Sequence, residues 1–207
     1  NCVPPNVDSE LLKSMSLHVI APDGEKALLT NEDIEQALVS GKHARVLETY
    51  FGEAEYQELR TLALRASRNT VRGGTRVLML PGILGSTLAL KKGDEMDQIW
   101  VDFWDIARGR LRQLGLPDTN KSIVATAAYP ATYLKFKLWL RGEGFDVDEH
   151  PYDWRQSIPE LGLALKERIE REKRDVYLVA HSMGGLVARA AIEHGLDSHL
   201  KRLIMLG

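Results

Sequence analysis

One segment of the sequence constrains the fold more than any other: an apolar strand that runs directly into a helix. Asp175–Ala180 is a short apolar run, typical of strands that are buried on both faces of a parallel sheet. The next residues are H-S-M-G-G, and Met183–His194 has apolar side chains at helical spacing. Ala180 and Gly184 are both small, so strand and helix can approach closely around Ser182. The segment predicts a sharp strand-to-helix turn with Ser182 at its corner.

Similar strands and helices alternate over residues 73–207. Such alternation predicts βαβ units, a mostly parallel sheet and helices on its faces, which is an α/β fold. We expect strands buried on both faces at Arg76–Leu80, Asp175–Ala180 and Leu203–Leu206, a less covered strand at Phe145–His150, and helices at Thr132–Arg141, Pro159–Lys173 and Met183–His194.

Residues 1–72 have a different character and predict a mainly helical appendage. A strand is expected at Ser16–Ile20, with helices at Asn31–Ser40 and Glu53–Ser67. No motif in this region carries recognisable chemistry. We therefore interpret residues 1–72 as a packing or regulatory element, joined at Gly73-Gly74 to a second domain that spans residues 73–207.

Composition excludes some classes of function. The formal net charge is -2 with no basic face, so nucleic acid is not expected as a partner. The most apolar stretch, Val77–Leu90, is interrupted by Pro and Gly and is too short to span a bilayer, which predicts a soluble chain. Cys2 is the single cysteine, which is compatible with a reducing compartment and favours a cytoplasmic location. No pattern predicts a cofactor or a metal.

The turn around Ser182 is also the first candidate for chemistry. The pattern A-H-S-M-G matches G-x-S-x-G with Ala180 in the first position. A serine on such a turn lies at a helix N-terminus, where free N–H groups favour developing negative charge. The pattern therefore predicts that Ser182 is a nucleophile. The alternative is an ordinary strand-to-helix turn that happens to contain Ser and Gly.

The second candidate is the loop in residues 78–86, L-M-L-P-G-I-L-G-S. In folds with such a turn, a loop after an earlier strand supplies half of the oxyanion hole. We predict the backbone N–H groups of Ile83 and Met183 as the two donors. A phosphate-binding loop is a competing interpretation, but it needs Lys after its last Gly and Ser86 stands there. A tight connection between a strand and a helix, with no chemical role, stays open.

A third motif follows a predicted strand: residues 151–155, P-Y-D-W-R. The order P-G-I-L-G-S, P-Y-D-W-R, A-H-S-M-G-G resembles the lecithin–cholesterol acyltransferase-like branch of the α/β-hydrolases, over residues 74–207. That branch includes lysosomal phospholipases and phospholipid:diacylglycerol acyltransferases. The resemblance implies a serine nucleophile at Ser182, donors at Ile83 and Met183, and acyl chemistry on glycerolipids with transient membrane contact. Relatives often carry Asp at the position of Ile83, but a backbone donor survives that change.

Other residues near these motifs have less specific interpretations. Asp153 and Arg155 predict a buried structural ion pair rather than catalytic groups. The aromatic-rich stretch 99–106 would shape an acyl pocket or pack in the core. His181 directly precedes the nucleophile and is expected to point away from it.

A serine nucleophile also needs an acid and a histidine, which follow it in this fold. The chain offers only Glu193, His194, Asp197 and His199 after Ser182, and none of them is expected at the site. We expect the sheet to be truncated after the strand that follows the turn, with acid and histidine further on or on a separate chain. Two alternatives remain: a non-catalytic binding or regulatory module of the same fold, and an esterase or amidase for small substrates.

Overall fold

The computed structural model describes residues 17–20, 26–69, 74–93, 95–100, 110–116, 122–196 and 199–207. Strands and helices alternate through most of these residues. The strands are β1 Leu17–Ile20, β2 Lys26–Leu29, β3 Arg76–Leu80, β4 Ser86–Lys92, β5 Glu95–Trp100, β6 Ile123–Ala128, β7 Asp146–Glu149, β8 Val176–His181 and β9 Leu200–Leu206. The helices are α1 Asn31–Ser40, α2 Ala44–Phe51, α3 Glu53–Arg68, α4 Pro130–Gly142, α5 Ile158–Glu172 and α6 Met183–Glu193, with a short 3-10 helix at Arg110–Leu114.

A four-stranded sheet in the order β7-β3-β8-β9 forms the centre of the fold, and all of its pairs are parallel. Strand β3 alternates its side chains between two layers, as the two-residue period of a strand requires. Leu78 and Leu80 pack with α5 and α6 on one face, whereas Val77 and Met79 pack with α4 on the other. The protein therefore has the predicted α/β-hydrolase-type architecture, with a mostly parallel sheet and helices on both faces.

The predicted strands of this sheet are confirmed, but the predicted burial of the last one is wrong. Strand β8 is central and its apolar run is buried. Strand β9 begins three residues earlier than predicted and lies at the edge of the described sheet. Because β9 pairs only with β8 and is little covered, Ile204, Met205 and Leu206 are exposed. Strand β7 is the opposite edge, in agreement with its predicted weaker cover.

The helical character predicted for the first third of the chain is confirmed. Helix α1 begins with a reciprocal capping box between Thr30 and Asp33 and ends at Gly41. Helices α1, α2 and α3 share a hydrophobic core that also contains Leu134 and Leu138 of α4. The N-terminal helices thus pack on a helix of the second predicted domain. The predicted boundary at Gly73-Gly74 stays a prediction, and Gly73 lies outside the described residues.

A second sheet was not predicted. Strands β4, β5 and β6 form an antiparallel sheet in the order β5-β4-β6. Strand β4 follows directly on residues 81–85, so the loop after β3 enters a strand and not a helix. The interpretation of this loop as a tight connection to a helix is therefore wrong. No helix in the described part of the chain has the length and apolar character needed to cross a membrane.

Candidate active site

Ser182 stands at the corner between the central strand β8 and the helix α6. Its backbone has φ 50° and ψ -119°, a conformation that costs a non-glycine residue on the order of 1–3 kcal/mol. Its N–H donates to Leu206 O at 2.6 Å, so the corner is tied to the end of β9. The Ser182 side chain is exposed. A strained backbone therefore presents the hydroxyl to solvent at the N-terminus of α6.

The corner lies against the loop after β3. A Cβ atom added at Gly184 would lie 2.8 Å from Pro81 O and 2.9 Å from Leu80 O, which explains why this position needs glycine. A Cβ atom added at Gly82 would lie 3.1 Å from Ser182 Cβ. The structure thus brings together the two segments that the sequence singled out.

The two predicted donors are the backbone N–H groups of Ile83 and Met183. Among the described residues, neither the Ile83 N–H nor the Met183 N–H has a hydrogen-bond acceptor. The Ile83 N–H belongs to a turn closed by a 3.0 Å hydrogen bond from Gly85 N to Gly82 O, and Ile83 is 59% exposed. Two unpaired N–H groups on segments that meet at Ser182 are the kind of donors that can stabilise an oxyanion.

The P-Y-D-W-R motif forms hydrogen bonds to both ends of this loop. The Tyr152 hydroxyl donates to Pro81 O at 2.6 Å, and the Tyr152 N–H donates to Ser86 Oγ at 3.1 Å. The Trp154 Nε1–H donates to Ser86 O at 3.1 Å. Burial raises the pKa of Tyr152, so its hydroxyl keeps the proton that it donates. Three hydrogen bonds from one motif therefore fix the two ends of the loop.

The predicted ion pair between Asp153 and Arg155 is confirmed. Arg155 donates through Nε and a terminal nitrogen to the two carboxylate oxygens of Asp153, at 2.8 and 2.6 Å. The Arg155 side chain is 4% exposed and the Asp153 side chain is 12% exposed. Arg155 also donates to Leu114 O. The pair shapes the turn that carries Tyr152 and Trp154, so its role is structural. Trp154 itself is half-buried rather than a full core residue, although it packs against the core.

A second strained residue lies in the loop. Leu84 has φ 61° and a side chain that is 43% exposed. Its carbonyl accepts a 2.9 Å hydrogen bond from Trp100 Nε1, and the Trp100 ring meets the Trp154 ring edge to face. The aromatic stretch 99–106 therefore contributes Trp100 to the loop, whereas its residues 101–106 lie outside the described residues. Its predicted part in an acyl pocket stays a prediction.

Tyr133 is the residue at this site that the sequence did not indicate. Its hydroxyl accepts the Gly82 N–H at 2.8 Å and lies 2.9 Å from Nδ1 of His181. Tyr133 is buried in the first turns of α4, and burial raises the pKa of its phenol. The Tyr129 N–H at the start of the same helix donates to Gly85 O. No motif could reveal this role, because α4 follows the loop by about fifty residues and resembles any amphipathic helix.

No acid–histidine pair lies beside Ser182 within the described residues. Helix α6 is about 16 Å long at 1.5 Å per residue, and His194 at its far end bonds to Pro159 O. His199 lies at the opposite end of β8, where its carbonyl accepts from Val176 N. Asp197 lies outside the described residues. The same residues contain no group of three or more His, Cys, Asp or Glu side chains arranged to hold a metal ion.

One family model matches this chain. It is described as a PGAP1-like alpha/beta domain and matches residues 155–207, about a quarter of the chain. The match covers β8, the Ser182 corner, α6 and β9. No curated protein and no solved structure matches the chain significantly. The match and the sheet topology together support a place in the α/β-hydrolase-type superfamily, without selecting a branch of it.

Proposed function

We propose that this protein is a serine hydrolase or acyltransferase that forms an acyl-enzyme on Ser182. The observation that carries the proposal is the exposed, strained Ser182 at the N-terminus of α6, facing a loop whose Ile83 N–H is unpaired. A turn with no chemical role would gain nothing from a backbone conformation that costs free energy. Strain of this kind persists where the surrounding structure enforces it, which is typical of functional sites.

The proposed reaction has two steps, acylation and deacylation of Ser182. A histidine takes the Ser182 proton while Oγ attacks the carbonyl carbon of an ester. The carbonyl oxygen becomes an oxyanion, held by the Ile83 and Met183 N–H groups. The alcohol leaves with the proton from the histidine, and an ester on Ser182 remains. Water or a second alcohol then attacks that ester, which releases an acid or a new ester and frees Ser182.

We propose that the histidine and its acid come from a segment that pairs with β9, on a continuing or a separate chain. Among the described strands, β9 pairs on one side only, with β8, and it has exposed apolar side chains on both faces, including Met205 at 56%. Because Ser182 N–H bonds to Leu206 O, a segment that extends the sheet along β9 would end beside Ser182. Parallel sheets place their functional loops at this carboxyl end of the strands.

A lipid ester is the substrate that we propose. Ile83 and Leu84, in the loop that lies against the Ser182 corner, have exposed apolar side chains, which suits an acyl chain and a transient contact with a membrane surface. The motifs P-G-I-L-G-S, P-Y-D-W-R and A-H-S-M-G-G further support the lecithin–cholesterol acyltransferase-like branch. A cytoplasmic location stays a prediction of the sequence.

A non-catalytic binding or regulatory module is the second candidate. One observation favours it: among the described residues, no side chain forms a hydrogen bond with the Ser182 hydroxyl. A module of this kind would keep the fold and the loop but would not react at Ser182.

Labelling with a fluorophosphonate probe separates these candidates. The full-length wild type should be labelled at Ser182, whereas Ser182→Ala should not be labelled and should lose on the order of 10⁴–10⁶ in kcat. Ser157→Ala is the matched control, because Ser157 is exposed at the start of α5 and bonds to Glu160. Wild type that stays unlabelled would favour the non-catalytic module, and labelling of Ser182→Ala would place the nucleophile elsewhere. Turnover of phospholipid vesicles against short-chain nitrophenyl esters tests the substrate class.

A further inference from the structure

The hydroxyl of Tyr133 joins the two halves of the candidate site. On one side it accepts the N–H of Gly82, the residue before Ile83, at 2.8 Å. On the other side it lies 2.9 Å from Nδ1 of His181, the residue before Ser182. No other described side chain forms hydrogen bonds to both segments through a single atom.

The hydrogens of this contact can be assigned by counting. A hydroxyl carries one hydrogen and accepts up to two hydrogen bonds. If His181 carried its proton on Nδ1, the Tyr133 oxygen would receive two donors and its own hydrogen would be buried without an acceptor, which is costly. If Nδ1 is the acceptor, every group in the chain Gly82–Tyr133–His181 is satisfied. The neutral His181 ring then carries its proton on Nε2.

We propose that Tyr133 is a positioning residue that fixes the loop of Ile83 relative to the corner of Ser182 and holds His181 in the tautomer protonated on Nε2. This inference depends on the proposed function for its effect on rate, but its geometry can be tested without turnover. The space between the segments is small: a Cβ atom added at Gly82 would lie 3.0 Å from His181 Nδ1. Loss of the shared hydroxyl therefore lets the loop shift relative to Ser182. A displacement of about 1 Å can cost on the order of 10²-fold in rate.

The test compares Tyr133→Phe with Tyr177→Phe in the full-length protein. Tyr177 packs against the same hydrophobic cluster, and its hydroxyl has no hydrogen bond to the loop or to the Ser182 corner in the described part of the chain. We expect fluorophosphonate labelling of Ser182 to slow by at least ~10-fold in Tyr133→Phe. With an ester substrate, Tyr133→Phe should lower kcat and leave KM unchanged. Tyr177→Phe should label at the wild-type rate.

Spectra of ¹⁵N-histidine-labelled protein report the tautomer of His181 directly. The wild type should show the Nε2-protonated form alone, and Tyr133→Phe should show a mixture with the Nδ1-protonated form. The His181 signals are assigned from their absence in His181→Asn. An unchanged tautomer in folded Tyr133→Phe would overturn the inference, even if the labelling rate falls.

Substitutions at the exposed His181 keep the test decisive if Tyr133→Phe does not fold. His181→Asn keeps an acceptor near the position of Nδ1 and should retain most of the labelling rate. His181→Ala has no acceptor there, so its Ser182 should be labelled slowly. When all variants fold, the double variant of Tyr133→Phe and His181→Ala should lose less labelling rate than the product of the two single losses. If the wild type is labelled and either Tyr133→Phe or His181→Ala is labelled at the same rate, only the role of Tyr133 is overturned. Wild type that is unlabelled at Ser182 overturns the proposed function, and with it any effect of Tyr133 on rate.

Discussion

The two ends of the parallel sheet are built from different interactions. At the amino end, Arg76 is 10% exposed and lies within 3.1 Å of the carboxylates of Asp146, Asp148 and Glu172. At the carboxyl end, neutral aromatic side chains bond to the backbone of residues 81–86, and two residues have strained backbones. Charge therefore holds the end without a site. At the end with the candidate site, neutral hydrogen bonds hold the loop, and the buried charges of Asp153 and Arg155 neutralise each other in an ion pair.

The largest effect on stability is expected at the amino end. Arg76→Met removes the most buried cation beside three carboxylates and leaves them with the more exposed Arg168 and Arg174, so the free energy of unfolding should fall by about 3 kcal/mol. Arg174→Met is the control, because Arg174 is exposed and its pair with Asp146 should contribute less than about 1 kcal/mol. Urea unfolding measures both values. Folded Arg76→Met should still be labelled at Ser182 at the wild-type rate, and slower labelling would show that the two ends are coupled.

Stability should also depend on pH through His150, which follows β7 at the carboxyl end of the sheet. Burial, followed by the positive charge of Arg168, lowers the pKa of His150 to about 4 from 6.5. The unfolded chain then binds more protons than the folded one between these values, so stability should fall as pH drops from about 6.5 to about 4. The loss should reach about 2 to 3 kcal/mol at pH 4 and below. His150→Gln should remove this part of the pH dependence, and urea unfolding at pH 7 and pH 4 measures it.

At the carboxyl end, close backbone packing should dominate. Gly184→Ala places a methyl group against the carbonyls of Leu80 and Pro81, which cannot move away cheaply, and should cost about 2 kcal/mol. Gly185→Ala is the matched neighbour, since its methyl group would meet only the flexible Met205 side chain. We expect Gly185→Ala to change the unfolding free energy by less than about 0.5 kcal/mol. Equal costs for the two variants would contradict the close approach of corner and loop.

The smallest expected effect has the opposite sign. Ser182→Gly relieves the positive φ at the corner and should raise the unfolding free energy by about 1 kcal/mol, although it removes the proposed nucleophile. Ser157→Gly is the control, because Ser157 has ordinary extended dihedrals and gains nothing from glycine. Thermal unfolding measures the shift. A destabilised Ser182→Gly would mean that the corner stores no strain.

Sequence patterns predicted the parallel sheet better than the parts around it. Apolar runs and small-residue turns revealed β3, β8 and the corner at Ser182, because those signals are local. Helix α2 was missed, since it is short and its N-cap, His43, makes no side-chain cap. In the second antiparallel sheet, β4 and β5 were missed although they are neighbours in the chain, and β6 was missed because its pairing with β4 joins segments far apart.

The site was predicted in outline for the same reason. Ser182 and the Ile83 loop lie in recognisable local motifs, and the structure places them together. The contacts that hold them come from Tyr133, Tyr152 and Trp100, which meet the loop only through the tertiary fold. The ion pair of Asp153 and Arg155 was predictable because only one residue, Trp154, separates its members in the sequence. Hydrogen bonds across dozens of residues leave no such pattern.

Because the Ser182 N–H donates to Leu206 O, hydrogen exchange of this amide reports on the pairing of β9 with β8. That amide can exchange with deuterium only when the last residues of β9 separate from β8. Its exchange rate, followed by mass spectrometry or NMR, therefore counts how often the edge opens. A partner that docks on β9 would slow this exchange without contacting Ser182, so the amide of the proposed nucleophile would report the binding.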